Sequence, residues 1–214
     1  MTALAAAPVV VVPRLWPGET VVILGGGSSL TPDDVAYCRG KARVIAIKEA
    51  HQLAPWADVL YAADAKWWRF TKGAPDFAGL KYAIEQDASQ PATDWSQWPD
   101  VQVLRNTGAE GLELDPSGLR TGFNSGYQAV NLAYHLAGAA RVVLLGFDMW
   151  TGPSGEQNWF GYHPNHTRSP YPLFLHAFKG LEGPLAAAGV RVVNASRFTV
   201  LTSFPRVPLE EALP

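Results

Sequence analysis

Short runs of β-branched and aliphatic residues recur along the chain, each closed by glycine or polar residues and then followed by a helix-length stretch. That alternation predicts a parallel sheet joined by crossover helices. Strands are expected at residues 20–24 (TVVIL), Arg43–Ile47 (RVIAI), Arg141–Leu145 (RVVLL) and 190–193, with shorter, less apolar candidates at 58–62 and 101–104. Near-continuous apolar runs of this kind suit strands covered on both faces.

Helix starts carry their own signals. Thr31, Pro32, Asp33 and Asp34 combine a capping hydroxyl, a proline at the first helical position and acids near the positive end of the dipole, predicting a helix over 32–37. Residues 125–136 place apolar or small side chains at Ala129, Val130, Leu132, Ala133 and Leu136, with Gly138 as the stop and Ser125 as a candidate cap. A third pattern, over 173–188, contains Pro184 and is expected to kink or split near Gly183. Residues 73–118, rich in polar residues and proline and carrying Trp95 and Trp98, read as an irregular insertion or lid within a single domain spanning 1–214.

Composition narrows the class. With 48% apolar and 17% charged residues over 214 positions, the chain can bury a real core. A net charge of −2 leaves no positive excess to release counterions, so strong nucleic-acid binding is not expected. Cys38 is the one cysteine; it cannot form an internal disulfide, and no CxxC pair offers a structural zinc site, which points to a small buried hydrophobe in a reducing compartment. The apolar start lacks a basic residue and is interrupted by Pro13 well short of a membrane span. A cytoplasmic protein without a span is the expectation, and homo-oligomerisation stays open.

The candidate chemistry collects at predicted strand ends. The first strand runs into Gly25, Gly26, Gly27, Ser28 and Ser29, where an open parallel sheet presents its ligand edge; glycines there let the backbone approach a phosphate, while amides and hydroxyls bond its oxygens. Gly25 and Gly27 fit the first two positions of GxGxxG, but Leu30 occupies the third, and Glu49 is a weak match for the ribose-binding acid, so a nicotinamide enzyme is disfavoured. Lys48 follows the second strand and can meet a phosphate or a base. Asp64 stands after the third strand, just before Trp67 and Trp68, which point about 100° apart on a helix, so that one of the two is free to line a pocket or steady the lid. Asn124, Ser125 and Gly126 introduce the best helix, with Asn124 and free amides facing whatever lies above the sheet. Asp148, which follows the strand Arg141–Leu145, is a candidate catalytic acid at a strand tip, and His163 in a glycine- and proline-bounded loop is a candidate general base. Pairing His163 and His166 with Asp148 as a zinc site is disfavoured by Pro164, so no metal ligand set is assigned.

Taken together, GGGSSL, VIAIKEA, FNSGYQAVNLAYHL, VVLLGFDMW and the GYHP loop resemble the Rossmann-type superfamily of bacterial lipo-oligosaccharide sialyltransferases. They equally resemble the domain family that includes 6-hydroxymethyl-dihydropterin pyrophosphokinase, and small proteins carried by bacteriophages. The resemblance implies an α/β, Rossmann-like three-layer fold with a mostly parallel central sheet. It also implies a transferase of the bacterial cytoplasm, in some cases phage-encoded. On the sialyltransferase side, Gly25, Gly27, Ser28 and Ser29 would hold the nucleotide of a CMP-sugar, Ser125 and Gly126 would lie near its phosphates, and His163 would deprotonate an acceptor hydroxyl. Lys48 stands where that family has asparagine, and Trp150 where it has tyrosine.

The resulting expectation is a glycosyltransferase-like enzyme taking a nucleotide-sugar and a small-molecule or glycan acceptor, with no obligatory cofactor. The pyrophosphokinase side implies Mg²⁺-dependent transfer from ATP instead, with Asp64 or Asp148 anchoring the ion. A non-catalytic nucleotide-binding accessory protein is the third alternative.

Overall fold

Residues 10–87, 91–152, 155–161 and 168–214 are described by the structure, a computed structural model. Eight strands, β1 (Val21–Leu24), β2 (Arg43–Ile47), β3 (Val59–Tyr61), β4 (Leu80–Ile84), β5 (Val101–Asn106), β6 (Gly118–Leu119), β7 (Arg141–Leu145) and β8 (Arg191–Asn194), form one sheet in the order β6-β5-β4-β3-β2-β1-β7-β8. Every neighbouring pair is parallel, so the sheet is wholly rather than mostly parallel.

The helices are α1 (Pro32–Cys38), α2 (Ala65–Phe70), α3 (Ser125–Ala137), α4 (Tyr171–Ala187) and α5 (Leu209–Ala212). Successive strand residues point to opposite faces, and each face has its own core. Val21, Ile23, Ile45 and Tyr61 pack with Leu132 of α3 and Phe178 of α4, while Val22, Leu24, Val44 and Leu60 pack with Val35 of α1, Trp68 of α2 and Leu209 of α5. This is a three-layer, Rossmann-like α/β fold.

Three expectations are corrected. Residues 73–118 are not an irregular insertion: they supply β4, β5 and the first residue of β6 to the sheet. Lys81 hides β4 by breaking its apolar run, and its buried ammonium is held by Asp100 at 2.5 Å and the Gly73 carbonyl at 3.1 Å. Pro184 does not split α4, which is unbroken across it. The proline lies on the exposed face, as does Gly180, whose carbonyl loses its intrahelical donor to the ring, so water can supply that bond. Trp67 and Trp68 both enter the core, their rings edge-to-face at 5.0 Å, because the six-residue α2 is covered on more than one side. Trp67 Nε1 donates to Glu49 at 2.8 Å and Trp68 Nε1 to the Ala62 carbonyl at 2.9 Å, so neither ring is a pocket wall.

Topology locates the site. From β1 the chain adds strands outward to β6, then returns through α3 to place β7 on the opposite side of β1. The direction of winding therefore reverses between β1 and β7, and open parallel sheets bind ligands outside the carboxyl ends of the strands at such a reversal.

Candidate ligand-binding site at the β1–β7 switch point

The bend after β1 is held against the end of β7 by its own backbone. Gly25 N donates to the Leu145 carbonyl at 2.7 Å, and Gly27 N donates to the Gly146 carbonyl at 2.8 Å. Glycine is required here by close approach: a Cβ on Gly25 or on Gly27 would stand 2.6 Å from the Gly146 oxygen, and one on Gly27 would also strike the Asp148 carboxylate. The glycines thus bring backbone to backbone, a different use from the approach to a phosphate that the sequence suggests.

A carboxyl group does sit in the bend, and it belongs to the protein. Asp148 is 2% exposed, and its carboxylate accepts from Ser29 N at 2.7 Å, from Ser29 Oγ at 2.7 Å and, weakly, from Ser28 Oγ at 3.4 Å. Burial pushes the Asp148 carboxyl above the usual range, against the pull of the Ser29 and Ser28 contacts. The Ser29 amide and both hydroxyls are consequently committed inside the molecule, which corrects the expectation that Ser28 and Ser29 stand ready for phosphate oxygens. Residues 155–161 cover the bend further, with Trp159 N donating to the Gly26 carbonyl at 3.1 Å.

Donors remain. The amides of Gly26 and Ser28 have no acceptor among the described residues, nor do those of Ser125 and Gly126, the first two of the thirteen-residue α3. A helix leaves its first amides without intrahelical partners and concentrates partial positive charge there. Phe147 connects the two loops: its ring faces both Gly25 and Gly126, each of which would meet it at 3.2 Å or less if it carried a Cβ. The turn before α3 differs from expectation in one respect. Asn124, not Ser125, is the cap, its Oδ1 accepting from Tyr127 N at 2.8 Å while its Nδ2 donates to the Gly122 carbonyl at 2.7 Å. Ser125 is the first helical residue, and its Oγ accepts from Ala63 N at 3.4 Å, which ties the α3 start to the end of β3.

No family model and no curated protein matches the chain. Among solved structures, a poly(3-hydroxybutyrate) depolymerase from Bordetella parapertussis is similar over 86% of this chain and 75% of that one, at 12% identity and a TM-score of 0.21. At that score the likeness bears on neither chemistry nor ligand.

The remaining candidates fall into place around the same edge. Lys48 and Asp64, after β2 and β3, form an ion pair with each other, so the cation expected to meet a ligand is already partnered. Lys48, Phe123 and Met149 all adopt positive φ (49°, 61° and 51°), a left-handed backbone that non-glycine residues seldom take. All three stand at the carboxyl edge of the sheet, where strain of about 1–3 kcal/mol each marks positions held by their surroundings. This signal was absent from the sequence pattern. Trp150 and Phe198 are each 43% exposed with ring centroids 5.5 Å apart, and they stand two residues beyond Asp148 and two residues before Val200, whose amide donates to the Asp148 carbonyl at 2.9 Å. His163 and His166 lie outside the described residues.

Among the described residues the donor set expected for Mg²⁺ does not gather. Asp64 is engaged by Lys48 and Asp148 by the two serines, and among the described residues no three metal-ligating side chains come together. No helix among the described residues is long and apolar enough to cross a membrane.

Proposed function

We propose that the protein is a nucleotide-binding transferase of glycosyltransferase type, working in the crevice between the carboxyl ends of β1 and β7. The observation that carries this reading is that two sets of backbone amides without a described acceptor, Gly26 and Ser28 on one loop and Ser125 and Gly126 on the other, belong to loops that both pack on the Phe147 ring at the topological switch point. Backbone amides at a helix start and a glycine bend suit a phosphate, and they remain as donors after Asp148 has taken the Ser29 amide and the serine hydroxyls.

In this reading the Asp148 carboxyl shapes the bend from within, and the nucleotide lies beside it. His163 is the proposed base toward an acceptor hydroxyl, a role that needs hydrogen-bond reach but no metal. The departing phosphate draws its stabilisation from the α3 start, and Lys48 reaches it by leaving Asp64.

A second reading, a nucleotide-binding protein without chemistry, is favoured by one specific observation: Asp148, the candidate acid after β7, has both oxygens engaged within the protein. A thermal-shift panel of CMP, CDP, UDP, GDP, ATP and NAD, with and without Mg²⁺, tests binding; a ligand at 100 times its Kd adds about 2.7 kcal/mol, or about 5–10 °C in Tm for a chain of this size. Stabilisation by CMP or a diphosphonucleoside without metal supports sugar transfer, and a requirement for ATP with Mg²⁺ favours the pyrophosphokinase alternative. Silence across the panel overturns nucleotide binding altogether. Once a donor is found, His163→Ala separates the two surviving readings: turnover of the nucleotide-sugar should fall by about 100-fold or more with unchanged binding if the histidine is the base.

A further inference from the structure

The carboxyl end of β8 opens on a cleft of about 590 Å³ between α1 and the C-terminal segment. Ala195, Val207 and Leu209 give it apolar lining, and two guanidinium groups, Arg197 and Arg206, share it. Both are fixed by the protein. Arg197 donates from Nε and Nη2 to the two oxygens of Asp34 at 2.7 and 2.9 Å. Arg206 donates from Nε to the Ser196 carbonyl at 3.2 Å and from Nη2 to the Arg197 carbonyl.

A guanidinium carries five N–H donors in a rigid plane. The contacts made here leave the Nη1 group of each arginine unengaged among the described residues. Asp34 neutralises Arg197, whereas Arg206 meets only carbonyl oxygens and has no carboxylate partner among the described residues. A pre-oriented guanidinium with no ion-pair contact among the described residues, in a cleft whose lining also carries Asp34 and Glu210, can still offer its free fork to an oxyanion in planar, bidentate fashion.

We infer that this cleft binds a small organic anion, its phosphate or carboxylate oxygens held by Arg206 and its apolar part resting on the partly exposed Val207. Arg197, paired with both oxygens of Asp34, is not a second clamp. Glu210 on the rim opposes the ligand and sets the upper limit of affinity. The site is separate from the β1–β7 crevice and does not depend on nucleotide binding there.

Titration calorimetry of the full chain with pyrophosphate and, separately, with citrate, at constant ionic strength, measures the affinity. The Arg Nε–Hε resonances in a proton–nitrogen correlation spectrum report where each probe binds. The expected result is saturable binding that shifts the Arg206 Nε–Hε signal, is weakened about tenfold or more by Arg206→Lys, which keeps the charge but loses the fork, and is tightened severalfold by Glu210→Gln. Phosphate and carboxylate sources are told apart by which probe binds more tightly. The inference is overturned if neither probe moves the Arg206 signal, if shifts are confined to residues 25–29 and 125–126, or if both variants bind as the wild type does.

Discussion

Asp148 ties together two loops 119 positions apart in sequence, and its titration distinguishes it from the other buried acid of this edge, Asp34. Burial raises the Asp148 carboxyl, so its proton is held more firmly in the folded chain than in the unfolded one. Such a group detracts from stability above its native pKa, and the penalty fades as the pH falls toward the unfolded value. Asp34 has the opposite sign: burial pushes it up, but the Arg197 and Thr31 hydrogen bonds outweigh that and leave its carboxyl below the ordinary value. Its contribution is complete above the unfolded pKa of about 4 and is lost on further acidification. Melting curves between pH 2 and 7 should therefore show wild type gaining on Asp148→Asn as the pH falls from neutrality, and losing its advantage over Asp34→Asn below about pH 4. Difference curves that run in parallel would contradict one of the two assignments. Gly27→Ala, whose new methyl meets the Gly146 oxygen and the Asp148 carboxylate, should cost about 1–3 kcal/mol in denaturant unfolding. The glycines, the serines and Asp148 all stand out as candidates in the sequence, but nothing in local pattern says that the acid fills the bend; that pairing is a tertiary fact.

At the scale of elements, adjacent residues divide labour that the sequence leaves ambiguous. Asn124 and Ser125 are both good caps by residue type, and backbone conformation decides between them: Asn124 is extended (φ −154°, ψ 151°) while Ser125 is already helical. Asn124→Ala should cost about 1 kcal/mol of stability. Ser125→Ala, which removes only the long bond from Ala63 N, should cost less, about 0.5 kcal/mol, a contrast read from paired chemical denaturations. In α4, Gly180 and Gly183 are exposed and a Cβ at either would meet nothing within 4 Å. Gly180→Ala and Gly183→Ala should each stabilise by about 0.5–1 kcal/mol, and Pro184→Ala by about 1–3 kcal/mol through the restored bond to the Gly180 carbonyl. Thermal melts of the three variants check this; a loss in any of them would mean that the face is packed against something. Strands β2 and β7 are legible residue for residue because each is an arginine followed by four apolar residues, whereas β4 is masked by Lys81 and β6, at two residues, is too short to carry a period.

Across the whole molecule, the class of fold follows from alternation alone, while the order of strands does not, since no local signal states that the chain turns back after β6. What determines the order is burial. β1 is covered on both faces and flanked by β2 and β7, all four of its side chains being fully buried, so it has no edge to expose. β6 pairs with β5 through two residues only and ends the sheet on one side; β8 ends it on the other, where Arg191 is exposed at its start. Stability should therefore fall from the centre outward. Local opening needs the loss of few buried contacts at β6 and of nearly the whole core at β1. Native-state hydrogen exchange read by mass spectrometry should give β1, β2 and β7 the slowest-exchanging amides, with protection equal to the global unfolding free energy, and β6 the fastest among the strands. The carboxyl-edge loops joined through Asp148 should exchange together, and Asp148→Ala should release residues 25–30 and 146–150 as a unit while leaving the β1 amides protected. Protection that is uniform across the sheet, or loops that loosen one at a time, would show that Asp148 does not couple them.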